Sequence, residues 1–358
     1  MVGGFMPKGL TAVDRRYRRL QQLQDTGQFE PVNRALQRVW EDGRRPDRVH
    51  LRLPLLHSRP EDPAPPLTQL LNPRGIALRF YLLAVFEAHC RLEPGEAWTS
   101  SGRELTGRLG WSDFVAVDAA YSSQKGYLHD EVLQYRDGQS CRVRQVQGAL
   151  RTLEGVGGGG QALVHVPRKK NGARDYAAFS LMPEGGSGGT LTPDRYVLPH
   201  PRVTRTFSIP VDFFLQGWVQ VLTPAEVATW LVLQLLSQEF PDKHRKWGVY
   251  LYADKREGYF RLKRDSYEDS CNALRSFGLI REPRLPASVV AAAQLLESMS
   301  DGPRAKDILR AIPRKEAPLG APPKYEAKRH HMADEVLGNS ALKACMQGIT
   351  FRRKHLRG

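Results

Sequence analysis

Apolar residues recur at helical spacing in several parts of the chain. From Arg142 to Leu153, the positions Val143, Val146, Ala149, Leu150 and Leu153 fall on one stripe, which predicts an amphipathic helix turned toward a core. Ile76 to His89 is apolar nearly throughout and predicts a buried helix. Two N-terminal stripes, Val13, Tyr17, Leu20, Leu23 and then Val32, Leu36, Val39, Trp40, predict a further pair, with arginines crowding the opposite sides. Ser101 followed by Glu104 has the form of a capping box opening a helix whose core contacts are Leu105 and Leu109. Thr223-Pro224-Ala225-Glu226 supplies a cap, an N1 proline and an N3 glutamate, and the apolar run behind it predicts a second buried helix. Tyr267, Cys271, Leu274 and Phe277 mark another inner stripe, and Ala287 to Met299 a short apolar helix.

Alternation and turn residues predict the strands. The helix at 142–153 must stop at Glu154, because Gly155 and Gly157 to Gly160 have little helix propensity and tolerate positive φ. Gln161 to Val166 and Tyr176 to Met182 then read as a hairpin, with Asn171-Gly172 in its tip. Residues 247–262 read as a second hairpin preceding the helix at Tyr267, with Gly278-Leu279-Ile280 leading into a strand.

Composition shifts divide the chain. Residues 1–73 read as a helical, arginine-rich arm and a linker: 14–52 hold 10 arginines against 6 acidic residues, and 54–73 hold six prolines, which restrict the backbone and remove amide donors. Residues 74–182 form a first domain, 183–206 a Gly/Ser/Pro-rich connection and 207–285 a second domain. Residues 286–358 read as a short helix and a basic tail, 281–358 carrying 15 Lys and Arg against 8 acidic residues.

The charge balance narrows the partner class. Over 358 residues, 53 Lys and Arg against 38 Asp and Glu give a net charge of +15, which favours polyanions such as nucleic acid. Four scattered cysteines, Cys90, Cys141, Cys271 and Cys345, form no CxxC pair and imply reduced thiols. The N-terminus lacks the apolar core of a signal peptide and no stretch is long enough to span a bilayer, so a cytoplasmic protein with no membrane partner is expected.

Enzyme patterns are missing or out of order. The glycine run follows a helix and precedes a strand, the reverse of a phosphate-binding loop. His330-His331 with Asp334 and Glu335 lacks HEXXH spacing, and neighbouring histidines on a helix would diverge by about 100°. No catalytic residue, metal or cofactor is assigned.

The polar faces carry the chemistry that remains. Arg144, Gln147 and Arg151 project from the side of the 142–153 helix opposite its apolar stripe, with the small Gly148 between them. Arginine can bond guanine O6 and N7 in parallel and glutamine adenine N6 and N7, so the three suit base reading in a major groove. Arg142 beside them and the hairpin tip's Arg168, Lys169, Lys170 and Arg174 suit phosphates. On the later helix, Glu268, Asn272 and Arg275 face outward and the net charge is negative. Lys263 and Arg264 just before it restore attraction to phosphate, while a dimer or partner interface fits the acidic face equally.

The order of buried helix, polar-faced helix and basic hairpin in 74–182, with a loosely similar unit of buried helix, hairpin, polar-faced helix and strand in 207–285, resembles bacterial tandem winged-helix DNA-binding proteins of the transcription-regulator or plasmid replication-initiator type. The resemblance implies an α+β, mainly helical fold with two winged-helix-like domains, short β-hairpin wings and flanking arms. It also implies a noncatalytic protein that binds double-stranded DNA, first as a transcription regulator, alternatively as a plasmid or phage replication initiator, with a homodimer or the replication or transcription machinery as further partners. A protein-interaction scaffold is the reading from another class. The long segment 112–140 ahead of the reading helix departs from the pattern.

Overall fold

The computed structural model describes residues 11–72, 75–99, 101–116, 121–122, 126–127, 138–186, 194–242, 244, 248–283 and 328–355. It is an α+β, mainly helical arrangement, with short antiparallel two-stranded sheets among the described residues. The elements are α1 (Ala12–Asp25), α2 (Phe29–Asp42), β1 (Arg48–Arg52), α3 (Pro66–Gln69), α4 (Ala77–Arg91), β2 (Tyr121–Ser122), β3 (Gly126–Tyr127), α5 (Gly138–Glu154), β4 (Val164–His165) and β5 (Ser180–Leu181). They continue with β6 (Thr206–Pro210), α6 (Asp212–Leu215), α7 (Trp218–Val221), α8 (Pro224–Glu239), α9 (Ala253–Gly258), α10 (Arg264–Ser276), β7 (Ile280–Arg281), β8 (His331–Met332) and α11 (Ala341–His355).

In the first half, α4 is buried on every side from Ala77 to Cys90, as its unbroken apolar run predicts, and α5 packs on it. Phe80, Trp98, Trp111, Phe114 and Phe179 interlock around the pair, with ring centroids 5.2 Å apart for Trp111 and Phe179. Beside them, β4 pairs with β5. Tyr196 N–H reaches the Leu181 carbonyl, and Trp98 N–H reaches the Tyr196 carbonyl, so extended residues 96–98 and 196–198 continue the ladder.

The second half has a related order with one helix more. α8 begins at the expected capping box, with the Thr223 hydroxyl accepting from Glu226 N–H and the Glu226 carboxylate from Thr223 N–H, and is buried on most sides. Val249 then bridges to His330, α9 and α10 follow, and β7 pairs with β8.

A middle layer joins the halves. β1 pairs antiparallel with β6, Val49 opposite Ile209 and Leu51 opposite Phe207, and these four side chains are buried. Phe86 of α4 stacks on Phe214 of α6 at 4.9 Å, and Phe213 on Trp230 of α8 at 4.6 Å. One hydrophobic cluster consequently runs through both halves.

Several expectations are corrected. The segment read as an arm and linker contributes β1 to the middle sheet, and Leu55, Leu56, Leu67 and Leu70 among its prolines are buried. The basic C-terminal segment ends in α11, which packs on α1, α7 and α10 through Ala341, Leu342, Cys345 and Ile349. Its Arg353 pairs with Asp14 at 2.9 Å, joining α11 to α1. No α-helix starts at Ser101. Gly102 and Gly107 hold φ of 64° and 103°, which breaks helical repetition, and one turn of 3-10 helix at Trp111–Phe114 follows instead. The stretch read as a second hairpin contains α9. Ala287 to Met299 lies outside the described residues.

Candidate nucleic-acid interface

α5 presents two unlike sides. Val146, Ala149, Leu150 and Leu153 are buried where the helix packs on α4 and on the turn Trp111–Phe114, whereas Arg144 and Arg151 are exposed and Gln147 is half-exposed. The helix ends as the glycines require: Gly157, Gly158 and Gly159 all hold positive φ, which L side chains rarely adopt. Leu163 N–H donates to the Leu153 carbonyl at 3.0 Å, tying the first hairpin strand to the last helical turn.

The hairpin tip is fixed by its own backbone. Lys169 N–H donates to the Ala173 carbonyl, Gly172 N–H to the Lys169 carbonyl, and the Asn171 side-chain oxygen accepts from Ala173 N–H at 3.1 Å. Gly172 holds a φ of 78°, the conformation for which the Asn-Gly pair is suited. The strands are shorter than expected, two residues each, because Tyr176–Ala178 turns as 3-10 helix.

The cations identified from sequence divide into groups. Arg174 is half-exposed, and its Nε pairs with Glu154 at 2.9 Å, joining the base of the hairpin to the C-terminus of α5. Glu154 as this anchor was not legible beforehand. Its only signal was an acidic residue closing a helix just before the glycine run. Arg168 donates to the Gly172 carbonyl at 3.0 Å, and Lys169 lies 3.9 Å from Asp175; both remain exposed, as does Lys170. Arg142 is half-buried, with its Nε lacking a hydrogen-bond partner among the described residues. Lys263 and Arg264 stand apart from this group, at the start of α10, where Arg264 pairs with Glu268 at 2.9 Å one turn on. The outer face of α10 shows Asp265, Asp269 and Asn272 to solvent.

Among the described residues no three His, Cys, Asp or Glu side chains gather as a metal site, and no helix is long and apolar enough to cross a membrane. His330 and His331 lie on an extended segment rather than a helix; His330 is buried, and burial holds its imidazole down to about 4. The four cysteines are free thiols, three of them buried. Burial pushes Cys271 up to about 11, far from a reactive thiolate. No family model, curated protein or solved structure matches the chain.

Proposed function

We propose that this protein is a noncatalytic, sequence-specific duplex-DNA-binding protein built from two winged-helix units, reading bases with Arg144, Gln147 and Arg151 of α5 and holding phosphates with Arg168, Lys169 and Lys170. The observation that carries this reading is the exposed Arg144–Gln147–Arg151 face on a helix whose other side is locked into the core and whose end is pinned to a basic hairpin by the Glu154–Arg174 pair. Rigid support of this kind suits direct readout, since a side chain must meet a base edge within a few tenths of an ångström. The order of α8, the Val249 bridge, α9, α10, β7 and β8 supports a second winged unit.

The biological role proposed first is transcription control. Replication initiation at repeated origin sequences is favoured by one observation: β1 and β6 and the continuous core fix the two units within a single chain, an arrangement suited to a continuous asymmetric site. For the second unit, the acidic outer face of α10 favours a protein contact over phosphate. Selection from a randomised duplex library at physiological salt tests the proposal. Enrichment of a defined motif is expected, inverted half-sites marking a regulator and direct repeats an initiator. Recovery of sequences no different from the input would remove base reading.

A further inference from the structure

Two glycines occupy interiors of long helices in the described structure, Gly148 in α5 and Gly348 in α11, although glycine is among the poorest helix formers. Gly348 has a reason within the chain. A Cβ there would stand 2.4 Å from the Ser276 carbonyl oxygen and 2.8 Å from the Phe277 ring, so the glycine lets α11 lie against the end of α10. Gly148 has none. Its φ is not in the left-handed region, and a Cβ would meet nothing within 4 Å among the described residues. It turns away from the core between Arg144 and Arg151, at i, i+4 and i+7, so the three form one ridge along the exposed side of the helix.

We propose that Gly148 is the point of closest approach between α5 and the edges of the base pairs, a gap in the ridge that lets the helix backbone settle to the groove floor while Arg144 and Arg151 reach down on either side. A methyl group there would lift the helix and lengthen both arginine contacts together. This inference rests on the DNA-binding reading above and adds a specificity-determining residue to it. It requires that Gly148 weaken the free protein and improve its complex. A residue present merely by tolerance, or needed for folding, would not show both effects.

The experiment compares wild type with Gly148→Ala and Gly148→Met. Each is measured for thermal unfolding without DNA and for affinity to the duplex enriched by wild type and to a scrambled duplex. Alanine is expected to raise the unfolding temperature by about 2 °C, from its better helix propensity. It should also weaken the enriched duplex by roughly tenfold, the scale of one arginine–base pairing, and leave the scrambled duplex unaffected. Methionine, also a good helix former, should weaken the enriched duplex further. Unchanged affinity in both variants, or an unfolding temperature that falls with alanine, overturns the inference while leaving the DNA-binding reading intact. A wild type that enriches no duplex overturns both.

Discussion

Protonation of His89 is expected to weaken the fold as pH falls below neutrality. His89 is buried in α4 with both ring nitrogens engaged in one tautomer: Nδ1–H donates to the Val85 carbonyl at 2.9 Å, and Nε2 accepts from the backbone N–H of His50 in β1, also at 2.9 Å. Protonation would remove that acceptor and place a charge in the core beside His50 and Arg52. Burial, reinforced by these neighbours, lowers its value from 6.5 to about 4. The unfolded chain therefore binds a proton that the folded chain refuses. Stability from this group is complete above 6.5 and is lost as pH falls toward 4. Between pH 7 and pH 5 the loss works out at about 2 kcal/mol, and its limit below pH 4 at about 3 kcal/mol. His330 acts in the same direction, while burial raises Glu87, Glu184 and Asp334 and so acts in the opposite one. The contribution is best isolated as the difference between wild type and His89→Gln, whose amide does not titrate, in urea unfolding at each pH. That difference should shrink by about 2 kcal/mol from pH 7 to pH 5. A difference constant across this range would refute the reasoning, as would a His89 ring titrating near 6.5 in the folded protein by NMR.

Two further perturbations address the hairpin tip and the helix packing. Lys169→Ala and Lys170→Ala should weaken all duplexes alike and reduce the salt slope of binding by about one for each phosphate no longer held, measured by titration across salt concentrations; an unaltered slope would take the tip out of the interface. Gly348→Ala should destabilise the protein by about 1 to 3 kcal/mol in urea unfolding, because its methyl would displace the Ser276 carbonyl, and wild-type stability in that variant would contradict the close packing of α11 on α10.

The parts of the structure legible in sequence are those specified by neighbours along the chain. The apolar stripe of α5, the glycines ending it, the Asn-Gly tip and the Thr223 capping box each state their conformation within a few residues. Exposure of Arg144 and Arg151 follows from the same stripe, since burying Val146 and Leu150 leaves them outside. Long-range partners were not legible. Nothing in RVHLR names Thr206–Pro210 as its pairing strand, so β1 read as part of an arm. In α11 the basic residues dominated the composition and concealed the stripe of Ala341, Leu342, Cys345 and Ile349. Prolines gave residues 54–73 the look of a linker, although the leucines among them had apolar surface to bury. At Ser101 the capping pattern was local and correct in form, but the left-handed backbone at Gly102 and Gly107 overrode it. Among the candidate phosphate ligands, the contact of Arg174 with Glu154 was not legible, because an ion pair between elements leaves no spacing signal.

Direct readout by α5 is the central claim, and the sharpest test pairs each arginine with a base. Affinities of wild type, Arg144→Ala and Arg151→Ala would be measured on the enriched duplex and on every single-base substitution of it. Each variant should lose about 1 to 3 kcal/mol on the enriched sequence and become indifferent to the base at one position, leaving preferences elsewhere intact. Losses of equal size on every sequence, with the wild-type base preferences preserved, would contradict base reading by this helix.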